Sequence, residues 1–198
     1  RDVALAIELF TEGSLNTFAK PTNVDTSSRI LCYDIRDLGK QLQPVGMLVM
    51  LDSVFNRIIR NRKLGKNTWV YIDEIYLLFQ HEYSANFLFT LWKRVRKYGA
   101  CCTGLTQNVD DLLQSHTART MLANSEFLVM LNQAATDRAE LANLLNISDN
   151  QLSYITNVDS GRGLIKCGSA IVPFMNSFPK NRLYQLMTTR PSETMAAA

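Results

Sequence analysis

The chain has 198 residues with a formal net charge of +3 at pH 7, and 46% of its residues are hydrophobic. This composition is typical of one medium-sized globular domain, and the small basic excess does not by itself indicate nucleic-acid binding. No apolar run approaches the roughly 18 residues of a membrane span, and no signal peptide is recognisable. The sequence opens on Arg1 rather than Met, so we expect a piece of a longer protein.

The first part of the chain predicts a helix, a connection, a strand and a second helix. Residues 2–11 carry apolar residues at helical spacing, residues 14–28 are rich in Ser, Thr, Asn and Pro, and residues 29–35 have the apolar content of a strand. A long amphipathic helix is predicted to open at Pro44 and to end at Gly65, because apolar residues recur between them at helical spacing.

The alternation continues to the end of the chain. Residues 68–72 favour a strand and run directly into the acidic pair Asp73 and Glu74. The other predicted elements are a helix at 85–98, a strand at 100–105, a short helix from about 109, a strand at 127–131, helices at 137–145 and 148–155, a hairpin of 164–167 with 170–175, and a helix at 181–187. This order predicts an α/β fold with crossover connections and a mostly parallel sheet.

Polar residues follow the strands of this predicted sheet. Parallel sheets bind ligands at the carboxyl ends of their strands, and that rule places Asp73, Glu74, Gln107 and Asn132 on one edge. A carboxylate at the position of Asp73 can hold a hydrated magnesium ion, and Glu74 can orient or deprotonate an attacking water. The amide of Gln107 can bond a phosphate oxygen and the same water.

Other residue types give weaker signals. Arg94 and Arg96 lie in a basic segment that is either a solvated helix face or a source of phosphate contacts, and Arg162 between two glycines is a candidate of the same kind. The four cysteines lack C-x-x-C spacing, so we expect reduced core thiols. A phosphate-binding loop, G-x-x-x-x-G-K-[ST], is absent from the printed sequence.

Several motifs together resemble one family. This chain is similar to the C-terminal half of the TraC-like conjugal-transfer ATPases, which are the fourth VirB component of type IV secretion systems. The similarity lies in the order and spacing of three motifs: Val70-Tyr71-Ile72-Asp73-Glu74, Arg94-Val95-Arg96-Lys97-Tyr98-Gly99 and Gly104-Leu105-Thr106-Gln107-Asn108. The resemblance implies a three-layer RecA-like P-loop ATPase fold with a C-terminal β-hairpin, here lacking the Walker A strand and loop. Residues 1–28 would end a helical insertion, 29–190 would form the later part of the motor domain, and 191–198 would be a disordered tail.

The resemblance also implies the chemistry of the site. Asp73 and Glu74 would be the Walker B pair that binds Mg²⁺ and ATP, and Gln107 would be the sensor glutamine. Arg94, Arg96 or Arg162 would be a finger that reaches the nucleotide of a neighbouring subunit. The full-length protein would be a hexameric ATP hydrolase on the cytoplasmic face of the bacterial membrane, associated peripherally with it and with other secretion components.

Two alternatives remain open at the level of sequence. One is a DNA-pumping ATPase of the FtsK or HerA kind, and direct DNA binding is therefore undecided. The other is a docking module of the secretion machine without catalysis. In the ATPase interpretation the isolated piece is expected to be inactive, because half of its nucleotide site is missing.

Overall fold

We describe a computed structural model of the chain, which covers residues 7, 8, 10–13, 16–107 and 109–188. The chain divides into two compact units. The first consists of residues 1–70 and 81–102, and the second of residues 71–80 and 103–198. The predicted tail at 191–198 and most of the predicted helix at 2–11 lie outside the described residues.

The first unit contains two α-helices that pack against each other. Helix α1 spans Gly39–Lys63, and helix α2 spans Glu82–Arg94 and continues as a 3-10 turn, Val95–Tyr98. Each is followed by a glycine with positive φ, Gly65 or Gly99, and the sequence predicts the end at Gly65. The helices pack through a hydrophobic cluster made of Ile58, Leu91, Val95 and Ala100, with half-buried Val54, Phe55, Val70, Phe87, Tyr98 and Cys102 against it.

The second unit is built around a separate cluster. Its helices are α3 (Val109–Gln114), α4 (His116–Ala123), α5 (Ala135–Leu145), α6 (Asp149–Leu152) and α7 (Arg182–Met187). The buried members of the cluster come from α3, α5, the strands and the connections: Val109, Leu113, Met130, Leu141, Leu145, Ile147, Ile155 and Leu164. A capping box of Ser148 with Gln151 lies at the start of α6.

The described strands form two sheets. Strands β1 (Thr68–Ile72) and β2 (Ala100–Gly104) pair with each other, and β3 (Phe127–Met130), β4 (Arg162–Cys167) and β5 (Ala170–Met175) form the other sheet in that order. The bonds from Thr68 N to Gly99 O and from Leu105 N to Ile72 O show that β1 and β2 run parallel. The β3–β4 and β4–β5 pairs are antiparallel.

Four local predictions are wrong. Residues 29–35 are not a strand, and Arg57 instead donates to the carbonyl oxygens of Thr26 and Ser28 beside them. Helix α1 opens at Gly39 and Pro44 lies within it. Helix α4 was not anticipated. Finally, three cysteines are exposed rather than in the core: Cys32, in the segment that is not a strand, Cys101 of β2 and Cys167 of β4.

One helix bears on membrane association. Within the described residues, α1 is long and apolar enough to cross a membrane by length and composition, with a mean hydropathy of 1.2 over an 18-residue window. The apolar runs of the sequence do not reveal this, because polar residues interrupt them. Core helices of soluble proteins pass the same test, so it is weak evidence for a span.

Candidate functional site

The acidic pair lies where β1 ends. Asp73 is exposed, and its Oδ1 accepts a hydrogen bond of 3.0 Å from the backbone N–H of Glu74. Glu74 has a left-handed backbone, with φ 46° and ψ 49°, which residues other than glycine seldom adopt. This conformation turns the chain out of the strand and into the 3-10 helix Ile75–Phe79, whose Ile75 and Leu78 are buried. The turn therefore presents Glu74 beside the strand end.

Backbone bonds hold the end of β2 against this turn. The N–H of Leu105 donates to the carbonyl of Ile72 at 2.8 Å, and the N–H of Ile75 donates to the carbonyl of Leu105 at 2.9 Å. Gly104 permits the close approach, because a Cβ there would lie 2.5 Å from Cδ1 of Ile75. Gln107, two residues beyond Leu105, therefore lies beside the acidic pair.

The side chains of Gln107 and Glu74 meet. Gln107 Nε2 donates to Glu74 Oε1 at 3.3 Å, a long hydrogen bond. Glu74 Oε2 is buried and has no hydrogen-bond partner among the described residues. An unsatisfied buried carboxylate oxygen is costly and uncommon in proteins. The arrangement thus leaves one acceptor of Glu74 available for a donor such as a water.

The donor set fits one kind of metal binding and excludes another. Among the described residues no group of three or more His, Cys, Asp or Glu side chains could hold a metal ion. A closed metal cage is therefore absent from that part of the chain. Mg²⁺ bound to a nucleotide requires less from the protein, because it keeps several waters and takes one or two carboxylates together with phosphate oxygens. The exposed carboxylate of Asp73 suits that role.

The other four residues predicted for the site do not join the contact between Gln107 and Glu74 in the described part of the chain. Arg94 and Arg96 are exposed in the first unit. Arg162, in the second unit, forms an ion pair of 3.7 Å with Asp159. Asn132 Oδ1 accepts from the backbone N–H of Val158 at 3.3 Å, so its side chain serves the adjoining loop. None of these four is hydrogen-bonded to Asp73, Glu74 or Gln107 in the described part of the chain.

A separate cavity of about 300 Å³ lies in the second unit and is lined by Leu113, Arg119, Glu140, Asn143 and Leu144. Arg119 pairs with Glu140 at 3.9 Å and donates from Nε to the carbonyl of Leu113 near the end of α3. The cavity contains none of the predicted site residues. The contact of Gln107 with Glu74, rather than this cavity, therefore marks the candidate site.

Comparison with known proteins identifies the family. A model of the TraG P-loop domain matches residues 22–164, which is most of the chain. The chain belongs to the TraG P-loop domain family. A solved structure of VirB4 from Thermoanaerobacter pseudethanolicus is similar in fold, with a TM-score of 0.79 and 23% sequence identity. The similarity covers 92% of this chain and 50% of that one, so this chain spans half of its length. No curated protein sequence matches the chain.

These matches confirm the predicted α/β P-loop ATPase fold and the resemblance to the conjugal-transfer ATPases. Sequence reasoning missed the left-handed conformation of Glu74 and the part played by Gly104. A glycine at the end of a strand is the only signal that pointed to the close approach.

Proposed function

We propose that this TraG P-loop domain is the Walker B half of an ATP hydrolase that powers type IV secretion or conjugative transfer. The observation that carries the proposal is the contact of Gln107 Nε2 with Glu74 Oε1, in which the ends of two neighbouring parallel strands bring an amide to an acidic pair. Family membership supports the nucleotide chemistry.

Each residue has a distinct part in this proposal. Asp73 would hold Mg²⁺ through water, and the ion would neutralise charge on the phosphates of ATP. Glu74 would accept a hydrogen bond or a proton from the attacking water, and its unpartnered Oε2 supports that part. Gln107 would hold the reactive rotamer of Glu74 and contact a phosphate oxygen through its amide.

Arginines of a neighbouring subunit would complete the site. Arg94 and Arg96 are exposed and take no part in the ion pairs found among the described residues, whereas Arg162 already pairs with Asp159. We therefore favour Arg94 or Arg96 over Arg162 as the finger that stabilises charge on the transferred phosphate. This part of the proposal requires a homo-oligomer, with a hexamer expected for the full-length protein.

The rest of the proposal concerns the whole protein. The phosphate loop would precede residue 1, so that residues 1–28 end an insertion, residues 29–190 complete the motor domain, and residues 191–198 are a tail. The printed chain alone would then hydrolyse no ATP. The full-length protein would work at the cytoplasmic face of the cell membrane, together with other secretion components.

The experiment compares two Glu→Gln variants of the full-length protein. Steady-state turnover of MgATP is expected to fall at least 100-fold for Glu74→Gln and less than twofold for Glu126→Gln, an exposed glutamate of the second unit. Equal turnover of the two variants would contradict the proposal. The 198-residue chain by itself should show no turnover of ATP. Turnover by this chain that is lost in Glu74→Gln would contradict the proposal that its nucleotide site is incomplete.

One sequence observation favours a second candidate. The absence of a phosphate loop from the printed sequence also suits a docking module of the secretion machine. A full-length protein that lacks the loop and binds no ATP would favour that module. An FtsK- or HerA-like pump would instead show strong stimulation of ATP turnover by double-stranded DNA.

A further inference from the structure

The β3–β4–β5 sheet has two outer edges, and the backbone pattern shows which residues form them. The N–H of Gly168 donates to the carbonyl of Glu126 at 3.2 Å, so this pair belongs to the hydrogen-bonded kind. In an antiparallel ladder every second residue bonds to the partner strand, and the residues between them point their N–H and C=O groups away from it. The register therefore turns three residues away from β4, which we call the outer edge of β3: Phe127, Val129 and Leu131.

The outer edge of β5 is blocked by a proline. The N–H of Asn176 donates to the carbonyl of Gly161 at 2.7 Å, and the register then turns Ile171, Pro173 and Met175 away from β4. Pro173 has no N–H to offer, so a further strand cannot form a regular ladder on this edge. Natural sheets commonly protect an edge strand in this way.

The outer edge of β3 has no such protection. Residues 127–131 contain neither proline nor a charged residue, and no strand in the described part of the chain pairs with this edge. Its side chains are apolar and open to solvent, with exposed fractions of 66% at Phe127, 61% at Val129 and 51% at Leu131. Unpaired backbone groups beside exposed apolar side chains are what an added strand requires.

The other side of β3 holds this edge in place. Leu128 and Met130 alternate with the residues of the outer edge and pack into the hydrophobic cluster of the second unit. Leu164 of β4, which pairs with Met130, is fully buried there. The outer edge is thus presented by a strand that core side chains already anchor, so little conformational entropy is lost when another strand binds.

We propose that the outer edge of β3 pairs with the same edge of a second copy of this chain, antiparallel and centred on Val129. In this register Val129 lies opposite its counterpart in the second copy, and Phe127 lies opposite Leu131. The outward N–H groups of all three residues then find acceptors, and every pair across the two-fold axis is apolar. Glu126 meets the neutral Asn132 rather than a like charge.

This self-complementarity favours a second copy over an unrelated strand. The resulting six-stranded sheet leaves β3 no longer at an edge and keeps the blocked edge of β5 outermost on both sides. The proposal concerns the 198-residue chain. It needs no nucleotide and does not rest on the proposed ATPase activity.

Sedimentation equilibrium of the 198-residue chain measures the pairing. Val129→Pro removes the central outward N–H, keeps an apolar side chain of similar size and breaks no bond to β4. The matched control is Met175→Pro, which removes an outward N–H of β5 at a residue that is likewise exposed. We expect the dimerisation constant to fall at least tenfold for Val129→Pro and less than twofold for Met175→Pro. Circular dichroism verifies that both variants fold.

Disulfide cross-linking tests the register without proline. In a background of Cys32→Ser, Cys101→Ser and Cys167→Ser, Val129→Cys is compared with Phe127→Cys under diamide, which accepts the two thiol hydrogens. The proposed pairing puts the two Cα atoms of residue 129 about 5.5 Å apart, within disulfide reach, and those of residue 127 about 14 Å apart. A disulfide-linked dimer should therefore form at least tenfold faster for Val129→Cys.

Three results would overturn the proposal. The first is equal cross-linking of the two cysteine variants, or faster cross-linking of Phe127→Cys. The second is a monomer at 200 μM. The third is a dimer that a folded Val129→Pro leaves intact and Val172→Lys dissociates, because open sheet faces would then stack instead. If Val129→Pro does not fold, the cross-linking rates decide.

Discussion

Adjacent cysteines on β2 differ in environment although nothing in their residue type separates them. Cys101 is exposed and Cys102 is half-buried. Burial, and secondarily the neighbouring Cys101, raise the pKa of the Cys102 thiol to about 12. Because the thiolate is the nucleophile, Cys102 should be inert at neutral pH. Its raised pKa also means that stability declines as pH rises from about 9 toward 12, where only the unfolded chain would ionise this thiol.

Alkylation rates test this difference. We expect iodoacetamide at pH 8 to modify Cys32, Cys101 and Cys167 at least tenfold faster than Cys102, as followed by tandem mass spectrometry of peptides. In 6 M guanidinium chloride all four should react at similar rates, which is the control. Native Cys102 reacting as fast as Cys101 would contradict the burial of this thiol.

Agreement between sequence and structure depends on local chemistry. The bounds of β1 were predicted correctly, because strand-favouring residues at 68–72 are followed at once by two acids and preceded by Gly65. The meeting of Gln107 with Glu74 follows from the rule that parallel strands end at one edge. The rest of the site depends on the left-handed backbone conformation of Glu74, which the sequence does not predict because glutamate seldom adopts it.

Predictions failed where distant partners decide. Residues 29–35 have strand-like side chains, but a strand needs a neighbour, and none of the described strands pairs with them.

Helix α4 was missed although Ser115, its N-cap, accepts from the N–H of Ala118 and is a recognisable start signal. The short connection between α3 and α4 concealed it.

Gly163 of β4 provides a prediction at the level of elements. A Cβ at this position would lie 2.1 Å from the carbonyl oxygen of Met130 on β3 and 2.9 Å from the Phe174 ring on β5. Gly163→Ala must therefore displace backbone, and we expect it to lower the free energy of unfolding by about 2 kcal/mol.

Urea denaturation monitored by circular dichroism measures this effect. Ser169→Ala, in the exposed turn between β4 and β5, should change the free energy of unfolding by less than about 0.5 kcal/mol. A Gly163→Ala variant as stable as Ser169→Ala would show that β3 and β4 approach each other less closely than described.

One face of the β3–β4–β5 sheet is apolar and open to solvent. Phe127 and Val129 of β3 are 66% and 61% exposed, and Val172 of β5 is 52% exposed. The register places these residues in line with Ile165 and Cys167 of β4 on the same face. Open apolar faces and unpaired strand edges favour association.

We therefore expect the isolated 198-residue chain to self-associate. Light scattering at 5–200 μM should show a rising apparent mass, and Phe127→Lys with Val129→Lys should reduce it. Leu183→Lys with Leu186→Lys is the matched control, since both leucines are exposed on α7. A monomer throughout this concentration range would contradict the expectation.

We propose that Gln107 works through Glu74 at one nucleotide site, and a double-mutant cycle on the full-length protein measures that coupling. Single-turnover hydrolysis of MgATP is compared for wild type, Gln107→Ala, Glu74→Gln and the double variant. We predict that Gln107→Ala slows hydrolysis at least tenfold in wild type and less than twofold in Glu74→Gln. Equal factors in the two backgrounds, or no effect of Gln107→Ala, would contradict this coupling of Gln107 with Glu74.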